Sequence, residues 1–250
     1  VPPAPGWAYI RGMDFSHEEL IEAVERLVGG LLERAGVTAA PVDALAIAET
    51  HLGIPVQFVS PDEDEDDGPR RRRRPLAGIT LTHAMSEQQQ QRVAAAGIAQ
   101  LFTPEILAKL NVPSGAESKQ LVAHVRALVV PRVLIPTRLF RSALRDCKYD
   151  VPALQAIFST AGMEMVAARL LDLDTPCVIA VVDDGAVASR RGNWVAVSRK
   201  LEAAERACVE KVMELDLPQR VRADGWTAWG WPVPGRPFRR IILRAVPDDV

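Results

Sequence analysis

Metal ligation and nucleophilic catalysis both need histidine, cysteine or carboxylate side chains at close spacing, and in this chain such residues are scattered. The four histidines are His17, His51, His83 and His124, and no two of them stand at the i, i+4 spacing that puts two imidazoles on one helix face. His17 falls in a first helical turn beside Glu18 and Glu19, His51 near a helix C-terminus, His83 at a strand end, and His124 among Leu121, Val122 and Val125. Each of these settings has an ordinary structural reading, and no zinc cluster can be assembled from them locally. The cysteines Cys147, Cys177 and Cys208 form no C-x-x-C pair, which excludes a zinc ribbon and a disulfide framework. No phosphate-binding G-x-x-x-x-G-K-[ST], no dinucleotide G-x-G-x-x-G and no G-x-S-x-G nucleophile elbow occurs.

Two other groups could bind nucleic acid. Trp226, Trp229 and Trp231 alternate along a strand, so Trp229 and Trp231 share a face and Trp226 takes the other. Aromatics so placed more often close a core than stack on bases. A run of basic residues, Arg138, Arg141, Arg145, Lys148 and Arg169, is offset by Asp146, Asp150, Glu164 and Asp172. Its net charge of about +1 is small for DNA binding.

The elements that must position these residues follow from the hydrophobic periodicity. The 250 residues carry 30 basic and 32 acidic side chains, a formal net charge of −2, with 48% hydrophobic residues. Such a balance excludes a strongly basic nucleic-acid binder and leaves length for a large core. No apolar run approaches the roughly 18–20 residues of a membrane helix, and the N-terminus lacks signal-peptide features, so the expected setting is a reducing cytoplasm with no membrane partner.

Residues 1–13 read as an extended arm. Ser16 and Glu19 form a capping box for a first helix that ends at Gly36. A second helix opens with Pro41 at N1 and stops at Gly53, followed by a strand from Ile54 to Val59. The segment 61–75 contains DEDEDD and five consecutive arginines between prolines, which predicts a solvated loop whose opposite charges cancel. A strand from Leu76 to Thr82 leads to a helix from Ser86 to Phe102. Ser114 and Glu117 suggest a capping box for the next helix, which Pro131 or Pro136 ends. Thr137 to Arg145 is a short helix. Val151 to Phe158 and Gly162 to Leu173 have the spacing of a helix-turn-helix. From Cys177 a hairpin turning at Asp184-Gly185, a helix from Leu201 to Leu215 and two further strands make a small α+β unit.

Several stretches together resemble the ImmA/IrrE family of zinc-dependent peptidases, whose members cleave or inactivate transcriptional repressors. PVDALAIAETHLGIPV (41–56) is similar to the family's opening helix and strand, LAGITLT (76–82) to its next strand, and QRVAAAGIAQLF (91–102) to the helix that bears H-E-x-x-H. RVLIPTRLF (132–140), YDVPALQAIFSTAGMEMVAARLLDL (149–173), PCVIAVVDDG (176–185) and WGWPVPGRPFRRIILRAV (229–246) extend the likeness over about 13–246. It implies an α+β chain: a mostly helical zincin-like peptidase domain with a small sheet over 14–135, a helix-turn-helix segment over 136–175 and a C-terminal α+β domain over 176–250 that senses a ligand or docks a partner.

The zinc motif itself is lost. The resemblance places Ala96 and Gln100 where the family has histidines and Gly97 where it has the general base, so these degenerate positions leave no catalytic residue. From Ser118 through Arg145 there is no Asp or Glu to act as third ligand, and His124 is the metal-capable side chain of that stretch. The expected function is a non-catalytic regulatory protein without a cofactor, acting in transcriptional or stress regulation through a protein partner, by resemblance a helix-turn-helix repressor. Two alternatives stand beside it. One is an active zinc endopeptidase using His83, His124 and acidic residues of the charged loop; the other is a DNA-binding protein using the helix-turn-helix and the arginine run.

Overall fold

The computed structural model describes residues 15–59, 78–113, 118–194 and 196–248. The arm 1–13, the charged loop 61–75 and the Ser114–Glu117 capping box lie outside them. Within the described residues the chain divides into two compact units, one formed by 15–148 with 156–161 and the other by 149–155 with 162–248.

The first unit is mostly helical. Helix α1 (His17–Arg34) starts at the Ser16–Glu19 capping box, in which the Ser16 hydroxyl accepts from the Glu19 N–H at 3.1 Å and the Glu19 carboxylate accepts from the Ser16 N–H at 2.6 Å. One stripe, Leu20, Ala23, Val24, Leu27, Val28, Leu31 and Leu32, is buried, each large member worth about 1.5–3 kcal/mol. Gly36 then takes φ +68°, a left-handed conformation that costs glycine nothing and turns the chain out of the helix.

The second helix does not begin at Pro41. Asp43 caps it by accepting from the Ala46 N–H at 3.0 Å, so the helical residues are Ala44–Ala46 (α2), running directly into one π turn, Ile47–His51. A side-chain carboxylate that satisfies an orphan N–H outweighs the N1 preference of proline. Strand β1 (Val56–Val59) pairs in parallel with β2 (Ile79–Thr82), with Val56 opposite Ile79 and Phe58 opposite Leu81. Parallel pairing requires a long connection between strands, and residues 60–78 separate the two in the sequence.

Helix α3 (Glu87–Lys109) opens at the predicted Ser86 cap and continues through Pro104 to a point seven residues beyond Phe102. Thr103 and Pro104 follow a stretch already fixed by packing; the Thr103 hydroxyl donates to the Ala99 carbonyl at 2.6 Å. Helix α4 (Lys119–Leu134) is capped by Ser118, whose hydroxyl accepts from the Leu121 N–H at 3.1 Å, and it too carries an internal proline, Pro131. Helices α1, α3 and α4 pack on one another, with α2 and β2 against α3. Helix α5 (Thr137–Cys147) follows, burying Phe140, Ala143 and Leu144. Helix α6 (Val151–Ile157) straddles the division between the units.

The second unit is built on a five-stranded antiparallel sheet of order β4-β3-β7-β6-β5: β3 (Val178–Asp183), β4 (Ala186–Gly192), β5 (Gln219–Ala223), β6 (Trp226–Val233) and β7 (Arg240–Pro247). Both hairpin turns β3–β4 and β5–β6 are Asp-Gly pairs with positive φ at both residues, 47° and 84° at Asp184-Gly185 and 50° and 75° at Asp224-Gly225. The sequence reading found the first and missed β5, because Gln219–Ala223 alternates with exposed arginines and has little apolar signal.

Helix α8 (Ala203–Leu215) covers one sheet face, its Ala204, Cys208, Val209 and Val212 meeting Val178, Ala180, Val182, Ala228, Leu243 and Ala245. It approaches β6 closely because Gly230 has no side chain: a Cβ there would lie 2.9 Å from Cys208 Sγ. Helix α7 (Met163–Arg169) and the 3-10 turn after it (Leu170–Asp172) contact the sheet at β3, and α7 also contacts β7.

Candidate functional site

Helix α3 presents the three positions singled out in the sequence. Ala96 and Gln100 are exposed one turn apart, and Gly97 beside them faces β2. A Cβ on Gly97 would come 2.7 Å from Cγ1 and 2.9 Å from Cδ1 of Ile79, so the side chain of Ile79 fills the space that any residue larger than glycine would need. Ile79 is itself buried, held by the β1–β2 pairing and by its N–H donating to the Pro55 carbonyl at 2.9 Å. This face offers a methyl group, a hydrogen and a neutral amide. It has no donor set for a cation.

The polar residue that α3 does bury is Gln91. Its Oε1 accepts from the Ala44 N–H at 2.7 Å and its Nε2 donates to Asp43 Oδ1 at 2.9 Å, tying α3 to the start of α2. Gln91 lies in the QRVAAAGIAQLF stretch, and both its bonds are structural.

The histidines go to separate places. His83 stacks on Phe58 with ring centroids 5.1 Å apart and planes at 20°, and His51 is exposed at the end of the π turn. His124 faces His17 across 5.7 Å between ring centroids, and burial, with the positive charge of Arg132 added to it, pushes the His124 imidazole below its ordinary pKa. Among the described residues no group of three or more His, Cys, Asp or Glu side chains is placed to hold a metal ion. The acidic residues of 61–75, invoked as ligands in the peptidase alternative, lie outside the described residues. Burial also pushes the Cys177 and Cys208 thiols up to about 11, so neither is a thiolate at neutral pH.

The tryptophans close packing. Trp231 is buried, and Trp226 lies against Trp194 at 5.8 Å on the α8 side. Trp229 stands directly between Arg220 and Arg244 in the register of β5, β6 and β7, with guanidinium carbons 5.1 and 5.0 Å from its ring, and Arg244 also lies 4.5 Å from the Tyr149 ring. Two arginines already occupy the indole, so Trp229 is no open stacking platform. Helix α7, second in the helix-turn-helix order, offers no exposed basic side chain. Glu164 is engaged by Arg240 at 2.5 Å and Arg236 at 3.0 Å, and Arg169 is buried and paired with Asp172.

Sequence reasoning missed the buried ion pairs. Arg132, 2% exposed in its side chain, donates from Nε to Glu25 Oε1 at 2.7 Å and from Nη1 to the Leu128 carbonyl at 3.0 Å, while Thr137 Oγ1 donates to the same Glu25 oxygen at 2.6 Å. These three residues line a cavity of about 560 Å3 with Val28, Leu32 and Val37. Its one sequence signal is an arginine set inside the apolar run RVLIP. In the second unit Arg190 holds the fully buried Glu205 through Nε at 3.0 and 3.1 Å and through Nη2 at 2.8 Å.

The chain is thus an α+β protein with a helical unit bearing a two-stranded parallel sheet and a second unit bearing a five-stranded antiparallel sheet. A solved structure described as a Mycobacterium tuberculosis transcriptional regulator is similar to it, with a TM-score of 0.64 and 18% sequence identity over 98% of this chain and 81% of that one. At that identity the likeness speaks to fold. No family model matches the chain, and no curated protein matches it. No helix among the described residues is long and apolar enough to cross a membrane.

Proposed function

We propose that this protein is a non-catalytic regulator on an ImmA/IrrE-like, zincin-derived scaffold, acting in transcriptional or stress control in the cytoplasm by binding a protein partner. The proposed organisation is a pseudo-peptidase region over 14–135, a helix-turn-helix segment over 136–175 and a C-terminal α+β domain over 176–250. The observation that carries the reading is the Gly97–Ile79 contact. Where the resemblance calls for a general base, the backbone of α3 is pressed against an isoleucine, and on either side stand Ala96 and Gln100. Zinc does not fit there, because neither a methyl nor a hydrogen donates an electron pair and a carboxamide binds zinc poorly.

The fold likeness to a transcriptional regulator supports a regulatory role. By the resemblance, the partner is a helix-turn-helix repressor, bound without cleavage. The test pairs metal content with partner integrity. Protein purified without added metal is expected to hold far less than one zinc per chain and to melt at the same temperature with and without EDTA. A helix-turn-helix repressor from the same genome, coexpressed and captured on the tagged chain, is expected to be recovered at full length. One zinc per chain together with cleaved repressor would overturn the reading in favour of a peptidase, and failure of every such repressor to bind would overturn the partner.

A further inference from the structure

We propose that the outer face of α5 binds the phosphate backbone of duplex DNA, through Arg138, Arg141 and Arg145 with Lys148 at its end. The inference does not rest on the partner proposed above. Helix α5 is sharply two-sided. Phe140, Ala143 and Leu144 are buried, with Phe140 edge-on to Phe158 at 5.8 Å, whereas the three arginines and Lys148 are exposed. At 100° per residue the three arginines fall within about 60° of arc and span about 10.5 Å along the axis, a straight row of guanidinium groups on a rigid element.

Two observations give that row its sign and its freedom. Between Ser118 and Arg145 the chain carries six cations (Lys119, Arg126, Arg132, Arg138, Arg141 and Arg145) and no carboxylate, in a protein whose net charge is −2. Of these, Arg132 is spent on Glu25. Among the described residues the other ion pairs use other arginines and Lys109, and none of them involves Arg138, Arg141, Arg145 or Lys148. Asp146, the single acidic residue of α5, lies about 110° around the helix from the centre of the row.

An exposed row of arginines that enters none of those ion pairs, although Arg138 lines the same cavity as Glu25 and Glu33, suits a partner with dense, regularly spaced negative charge. Duplex DNA presents one phosphate per roughly 1.7 Å of axis, and guanidinium binds phosphate bidentately. The contact is with the backbone, so it positions the protein without reading bases. This moves nucleic-acid contact from α7, whose Glu164 and Arg169 are already paired, to α5.

The test measures binding of the full chain to a fluorescein-labelled duplex of mixed sequence by anisotropy, between 50 and 200 mM salt. With three or four phosphates neutralised, log K is expected to fall with log salt at a slope of about −3. The triple variant Arg138→Ala, Arg141→Ala, Arg145→Ala should lose most of that slope, about 2.7 of it, and bind at least roughly tenfold more weakly at 50 mM salt. The triple change to lysine should keep most of the slope. The side chains are exposed, and an unchanged circular-dichroism melt verifies that the variants fold. No binding at 50 mM salt, an unaltered slope in the alanine variant, or tighter binding to a polyglutamate peptide than to the duplex would each overturn the proposal.

Discussion

Gly97 of α3 and Ile79 of β2 are packed so closely that a Cβ on the glycine would stand 2.7 Å from Cγ1 of the isoleucine. Helix and strand therefore meet backbone to side chain, and Gly97 cannot be enlarged without moving one of them. Gly97→Ala would gain up to about 1 kcal/mol of helix propensity but should still lose about 1 kcal/mol net, since overpacking costs typically 1–3 kcal/mol and more. The variant Ile79→Ala in the Gly97→Ala background relieves the clash. A double-mutant cycle by urea denaturation is expected to give a favourable coupling above about 0.5 kcal/mol, and strict additivity would show that the two residues do not press on each other.

Glu205 is completely buried and receives three contacts from Arg190. Removing one partner of such a pair strands the other charge away from water. Glu205→Ala is expected to destabilise the second unit by about 3–5 kcal/mol, read as a fall in the urea midpoint. Replacing both residues by apolar side chains of similar volume should recover much of the loss.

His124 is held below its ordinary pKa by burial and by Arg132. Its folded pKa lies under the unfolded value, so the unfolded state binds more protons between the two. The contribution is fully present above the unfolded imidazole value of about 6.5 and is lost as pH falls below it towards the folded pKa. Stability of the native protein should therefore drop as pH falls below about 6.5 more steeply than that of His124→Gln; parallel curves for the two would refute the assignment.

Cys177 and Cys208 have thiols pushed up to about 11 by burial, while Cys147 is half-buried. Iodoacetamide at pH 8 is expected to label native protein at no more than one cysteine and urea-unfolded protein at all three, counted by intact mass. Rapid native labelling of Cys208 would mean that α8 opens from the sheet.

Local order was legible in the residues. The Ser16–Glu19 capping box, the Ser86 cap, the helix end at Gly36, the Asp184-Gly185 turn and the apolar stripes of α1 and α8 are each decided within a few residues of chain. The errors were also local in form. The proline preference points to Pro41 as the helix start that Asp43 takes, and β5 carries little apolar signal because its outward residues are Arg220 and Arg222. Neither internal proline, Pro104 nor Pro131, ended its helix, since packing on both sides of each outweighs one lost hydrogen bond.

The sequence by itself determined which local motifs occur. No spacing of histidine, cysteine or carboxylate along the chain makes a local metal or nucleophile motif, and residues 118–145 contain no Asp or Glu. Tertiary structure alone decided which distant residues meet: Ile79 against Gly97, Glu25 against Arg132 across 107 positions, and Arg244 between Tyr149 and Trp229. The physical reason is range. Caps, turns and amphipathic stripes are won by neighbours a few residues apart, whereas a buried charge finds its partner, and a glycine its isoleucine, only when distant segments compete for the same volume.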